Sequence, residues 1–290
     1  MNTKIFKLSV LSVIFGLGSC ASDDGNSAEN VIAELASSEK GNFTKECNYV
    51  DNNWSSSAVL STSFGSSTDT NFMNNQNSKI ASVWGRPSVL LRFVKDVTNP
   101  GSTYNAISYS SQKIYYGEAI YKDAKTYGQI VNAMILAHEF GHQLQYTYGI
   151  PSVNETTARA SELEADGMAG YYLRRPTGYN QSSFAAIAPA YDFAFKIGDY
   201  ATTSSGHHGT PPQRRSAVRL GFLLGQYSLS ALDFDANFFY YYSGVLNGTY
   251  RSAKPAGYNA EIDAYIKSHA NELKDIMTGK MSKETYYQLD

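Results

Sequence analysis

The sequence predicts an α+β fold, with a small sheet first and a mainly helical C-terminal part. Three observations predict it. Runs with strand character, "PSVLLRFVKD" and "YNAISYSSQKIYYGEAIY", come first and helical patterns follow, an order that segregates sheet from helix. Hydrophobic residues make up 42% of the 290 residues, enough for a substantial core. The stretch "QIVNAMILAHEFGHQLQ" repeats its apolar residues at the helical period.

The elements follow in chain order. "MNTKIFKLSVLSVIFGLGSC" places Lys4 and Lys7 before an apolar stretch, Leu8 to Gly18, and then Cys20. The stretch is too short to span a bilayer, which takes about 20 apolar residues. It fits a secretory signal peptide over residues 1–19. "LGSC" resembles a bacterial lipobox, in which the chain is cut before the cysteine; Cys20 would then carry the lipids. A plain signal peptide with an incidental cysteine is the alternative. With Cys20 lipidated, Cys47 has no partner within the chain, which excludes a disulfide framework. Cleavage removes two lysines and no acid, taking the formal net charge from −2 to −4. "ASDDG" then resembles the acidic export tag of surface lipoproteins. The expected location is the cell envelope, as an outer-membrane lipoprotein held by its anchor and facing either the periplasm or the surface. Residues 20–48 are polar, with one helical patch, "AENVIAELASS", and read as a tether to a domain over 49–290.

Charged residues are only 17% of the chain, and no Lys/Arg stripe appears, which argues against a nucleic-acid partner. Within the domain, Asn52 to Ser78 is rich in Ser, Asn and Thr, and its first part reads as loop. A helix is expected toward "SKIASVWG", with Ile80, Val83 and Trp84 facing a core. Val89 to Val94 is a strand, and a hairpin turns at "SSQ" into a second strand including Lys113 to Tyr116. A helix from Tyr127 carries Ile130, Val131, Met134 and Ile135 as its apolar stripe, and Gly149 and Pro151 end it. Farther on, "ANFFYYYSGVLNG" suits core, or alternatively a substrate groove. "NAEIDAYIKSHANELKDIM" reads as one amphipathic helix with His269 exposed.

"LAHEFGHQLQ" carries the chemistry. From the composition, about 0.004 matches to H-E-x-x-H are expected by chance in this chain. Residues i and i+4 of a helix share a face, so His138 and His142 can present two imidazoles to one metal. Glu139 is displaced by about 100° around the helix, which suits a base acting on water rather than a ligand. Catalytic zinc usually has three protein ligands and one open position. The next helix, "TARASELEADGMAGYYL", supplies Glu162 as the third, twenty residues after His142. Asp166 shares the face of Glu162 and is expected to accept the second N–H of a ligating histidine. Glu164 points away. A solvated acidic face is the bland alternative for "ELEAD". Gly167, Ala169 and Gly170 are small enough to let this helix pack closely on the first.

Together, H-E-x-x-H and E-x-x-x-D resemble the gluzincin metallopeptidases. "AHEFGHQLQ" with "ELEADGMAGYYL" is similar to the bacterial neutral zinc metallopeptidase family, and "GHHGTPPQRR" resembles that family's third block. The similarity spans about Lys113 to Leu224, under half of the chain. It departs in the long gap before the third block, the doubled His207–His208 and an aromatic C-terminal part that does not align. The resemblance implies a zincin-like fold with an active-site helix pair in residues 49–290 and one catalytic zinc. It implies peptide-bond hydrolysis by a zinc-activated water with Glu139 as general base. It also implies a peptide or protein substrate bound as an added strand on a sheet edge. Lys113 to Gly117, with Lys113, Ile114, Tyr115 and Tyr116, is the candidate edge; an ordinary paired strand is its alternative. By the family pattern His208 stabilises the oxyanion, a role a tyrosine could fill instead. Arg214 pairs with an acid, at the site or in the core. A non-catalytic adhesion lipoprotein on the same scaffold is the competing function, against which the retained Glu139 speaks. A structural zinc site would typically be closed and often cysteine-based.

Overall fold

Apolar runs of strand length become a four-stranded sheet that backs the HEFGH helix. A computed structural model describes residues 54–198, 200–202, 204–247, 254 and 258–290. The expected signal peptide and tether, with Cys20 and Cys47, lie outside these residues. The strands are β1 (Val59–Ser61), β2 (Leu90–Lys95), β3 (Ala106–Tyr109) and β4 (Lys113–Gly117), in the order β1-β2-β4-β3. β2 and β4 run parallel, with Leu90 opposite Lys113; the outer pairs are antiparallel, with Ile107 opposite Tyr115. One face packs Leu91, Phe93, Ile114 and Tyr116 into the main core. The other places Val94, Ile107, Tyr109 and Tyr115 against Trp54 and Ala58, and the Trp54 indole N–H donates to Tyr109 Oη at 3.0 Å.

The expected hairpin is present, but its second strand is not an edge. Lys113 to Gly117 is paired on both sides, by β2 and β3. The physical reason is burial. Ile114 and Tyr116 face one core cluster and Tyr115 the other, so both faces are covered, and "KIYY" lacks the polar alternation of a half-exposed strand. The edges are β1 and β3. Gly117 ends β4 where a side chain has no room: a Cβ there would lie 1.8 Å from Thr103 O. Its N–H donates instead to Asn105 O at 2.9 Å.

Among the described residues, ten α-helices follow or flank the sheet: α1 (Ser67–Val83), α2 (Glu118–Thr126), α3 (Gln129–Tyr148), α4 (Arg159–Arg174), α5 (Ala188–Lys196), α6 (Pro211–Leu224), α7 (Ala231–Asn247), α8 (Ala260–Ser268), α9 (Ala270–Met277) and α10 (Lys283–Tyr286). α1 starts more than a turn before the expected helix. Ser66 caps it, and its buried Asn77 donates to Val89 O at 2.8 Å, so a polar sequence still forms a packed helix. α3 ends at Gly149 in the left-handed conformation, φ 65°, as expected. α7 buries Phe234, Phe238, Phe239 and Tyr241, the core role. The single amphipathic helix expected near the C-terminus is two, α8 and α9, meeting at His269. That histidine is half-buried, with Nδ1 2.8 Å from Tyr265 O, rather than exposed.

The small residues of α4 face a different partner from the one expected. A Cβ on Gly170 would sit 2.1 Å from Val218 O, and one on Gly221 1.8 Å from Gly167 O, so these glycines set the close crossing of α4 with α6. The contact of α4 with α3 is made instead through Gly141, where a Cβ would lie 3.1 Å from Ala165 Cα.

Candidate metal centre

α3 is buried at every position from Ile130 to Gln145, which removes its polar side chains from water and turns them to buried partners on α3 and the elements packed against it. His138 and His142 stand one turn apart with their Nε2 atoms 3.2 Å from one another. α4 brings in Glu162. Its Oε2 lies 3.3 Å from His138 Nε2 and its Oε1 3.4 Å from His142 Nε2. The three ligand atoms lie within 4.8 Å of one another, a group that could hold a metal ion. The donor set fits such an ion: two imidazole nitrogens and one carboxylate converge without cysteine. Glu162 Oε1 is buried yet makes no hydrogen bond among the described residues. Buried carboxylate oxygens are normally satisfied, and one set among two imidazole nitrogens fits the role of a cation ligand.

The surroundings orient the ligands. His138 Nδ1 lies 2.9 Å from Asp166 Oδ1, the partner expected from helical spacing. Asp166 is in turn gripped by Arg214, whose Nε donates to Oδ2 at 2.7 Å and Nη2 to Oδ1 at 2.8 Å. The acid that Arg214 meets is therefore at the site. The sequence positions Arg214 locally: Thr210 and Gln213 form a capping box with proline at the helix start, so "GTPPQRR" begins α6 and points its first turn at the site.

The partner of the second histidine was not anticipated. His142 Nδ1 lies 2.8 Å from Gln145 Oε1, and the Gln145 amide donates to Ser161 O at 2.8 Å and to Glu164 Oε2 at 2.9 Å. Glu164 does point away from the metal ligands, but into a fully buried network rather than outward. Its helix position alone could not distinguish these two outcomes. Burial and the neighbouring Asp235 charge raise its carboxyl well above the usual range.

The charges at the centre oppose one another. Burial disfavours a charged His138, yet hydrogen bonds and charges from Asp166 and Glu162 raise it to about 10. Burial also works against ionised Glu162, but His142 and His138 hold it well below the carboxylate range. Asp166 is likewise lowered against its burial, by Arg214 and His138. Glu139 differs: burial pushes it up to about 7, only partly offset by His138, His142 and Arg214.

A cleft of ≈ 290 Å³ opens onto these residues. His138, Glu139, Glu162, Asp166, His208 and Arg214 form its polar side. Of the doubled histidines, His208 lines the cleft, while His207 is buried at 1% exposure and does not. Tyr104 also lines it, but its hydroxyl donates to Asp123 at 2.5 Å. The edge strand β3 lies beside α3: Ser108 Oγ donates to Glu139 O at 2.8 Å, and Gln143 Nε2 to Tyr109 O at 2.9 Å. Phe193 and Ile197, which wall the cleft from around α5, carry no sequence signal.

Compared with known proteins, the chain matches no family model, no curated protein and no solved structure. Among the described residues, no helix is long and apolar enough to cross a membrane.

Proposed function

We propose that the protein is a zinc-dependent peptidase. The observation that carries this reading is the convergence of His138, His142 and Glu162 beside a cleft that His138 and Glu162 line together with Glu139, which is not one of the three. Bound there, zinc would lower the pKa of a coordinated water to about 7 and polarise a carbonyl. Glu139 takes the proton from the attacking water and returns it to the leaving amine. His208 donates a hydrogen bond to the carbonyl oxygen as charge develops on it. Arg214 and Asp166 hold the His138 ring in place. The peptide adds as a strand along β3, not along Lys113 to Gly117, because β3 is the edge beside Glu139. The apolar wall of Ala106, Ile120, Met134, Ile135, Phe193 and Ile197 receives one of its side chains.

Replacing Glu139 tests this reading. Glu139→Gln should keep zinc and fold, because it removes no ligand, and should lower cleavage of a peptide library by at least about a hundredfold. Near-normal turnover by the zinc-loaded variant would refute the assignment. A chain that binds no metal would refute the centre itself.

Cys20 as a lipidated anchor in the envelope belongs to the same proposal. Stable anchoring needs more than one acyl chain, so Cys20→Ser should move the protein from the membrane to the soluble fraction. A variant that still sediments with membranes would show that another element holds it.

A further inference from the structure

We propose that Glu164 is a positioning residue for the metal centre: through Gln145 it fixes His142 with Nδ1–H turned to Gln145 and Nε2 turned to the metal. The inference rests on the metal-centre reading above and adds residues to it.

The geometry determines the amide. Gln145 sits between three groups: His142 Nδ1, Ser161 O and Glu164 Oε2. Two of these are oxygens within hydrogen-bond distance of the same amide nitrogen, at 2.8 and 2.9 Å. Only the NH₂ end can serve both, since it is the end with two donors. The carbonyl end is thereby left facing His142 at 2.8 Å, where it can only accept. His142 Nδ1 must then carry the hydrogen, and the lone pair lies on Nε2, which faces Glu162 Oε1 and His138 Nε2. Burial makes the arrangement hold. Gln145 is 5% exposed and Glu164 0%, so water does not compete for the amide.

Glu164 is itself backed from behind. Asp235 lies against its carboxyl and receives Ser152 N–H at 2.8 Å, joining the loop after α3 and the start of α7 to the same network. The two ligating histidines are thus oriented by different devices. His138 has a carboxylate gripped by an arginine, and His142 has a neutral amide gripped by a buried acid. A residue that merely filled space between α3 and α4 would have no need of an acceptor aimed at Gln145.

The test compares the full chain with Gln145→Leu, Glu164→Leu and Glu164→Gln. Zinc affinity is measured by competition with a chelator, and the His142 tautomer by ¹⁵N shifts of its ring in the zinc-loaded protein. Gln145→Leu and Glu164→Leu should each weaken zinc binding by about 10–100-fold, the usual scale for a partner behind a ligand. Glu164→Gln keeps an acceptor oxygen for Gln145 and should restore the affinity and the wild-type tautomer. Melting of the metal-free forms separates packing from positioning. A Glu164→Leu protein that melts earlier but binds zinc as the wild type does would overturn the inference alone. Should Glu164→Leu not fold, unchanged affinity and tautomer in Gln145→Leu would overturn it equally. A wild-type chain that binds no zinc would overturn the centre and this inference together.

Discussion

Glu139 and His138 are neighbours in sequence, yet their environments push them toward opposite jobs. His138 is held between two ionised carboxylates and has no freedom to act as a base. Glu139 is buried without such a partner, and its carboxyl rises to about 7, the range in which a base can both take and return a proton near neutral pH. The same contrast separates the doubled histidines. His208 lines the cleft, so His208→Ala should lower kcat more than it raises KM, by about 10²–10³ if it contributes one oxyanion hydrogen bond. Zinc content should stay unchanged. His207 is too deeply buried to serve as a silent control, and its loss should show as a lower melting temperature with the catalytic constants of the surviving fold preserved. Kinetics of the two variants decide between them: a kcat defect confined to His207→Ala would move the role one residue back, and none in either would leave it to another donor.

At the scale of elements, legibility followed local chemistry. α3 could be placed from its apolar stripe and its terminal Gly149, because both act within the helix itself. His138, His142, Glu162 and Asp166 were legible for the same reason, since helical spacing fixes which side chains share a face. What was not legible depends on the partner. "KIYY" reads as a strand, but its place at the centre of the sheet depends on β2 arriving parallel from earlier in the chain. Gln145 and Glu164 could be placed on their helices, but only the packing of α3 on α4 brings them together. The glycines of α4 show how such packing is enforced. Gly221 meets Gly167 backbone to backbone, so Gly221→Ala must push α6 away from α4 and carry Arg214 with it. Overpacking of this kind costs about 1–3 kcal/mol. Gly221→Ala should therefore lower the melting temperature and also loosen zinc, whereas an alanine at the open Gly85 turn should affect stability through its φ of 61° and leave zinc alone. Equal zinc affinity in Gly221→Ala and the wild type would show that Arg214 is held independently of the helix crossing.

For the whole molecule, metal and protons compete for one centre, and the competition has a definite sign. Without metal, His138 is raised to about 10 by its carboxylates, so it carries a proton throughout the neutral range. A raised folded-state pKa contributes stability that is full below the unfolded value, near 6.5, and lost as pH rises through about 10. Chelator-treated protein should therefore melt progressively earlier between about pH 7.5 and 9.5. Zinc must displace that proton, because a ligating imidazole has to be neutral at the coordinating nitrogen. At pH 8, where Glu139 at about 7 is already mostly ionised, binding should release about two protons, one from His138 and one from the water that zinc would coordinate, and tighten with rising pH. Zinc-loaded protein gains stability by mass action, about 2.7 kcal/mol at a hundred times Kd, so its melting temperature should resist the alkaline decline seen after chelation. Titration calorimetry in buffers of different ionisation enthalpy reads the proton count directly. Tight zinc binding at pH 8 with one proton or none released would mean that His138 is not the protonated partner of Asp166 and Glu162, and the electrostatic account of the centre would have to be abandoned.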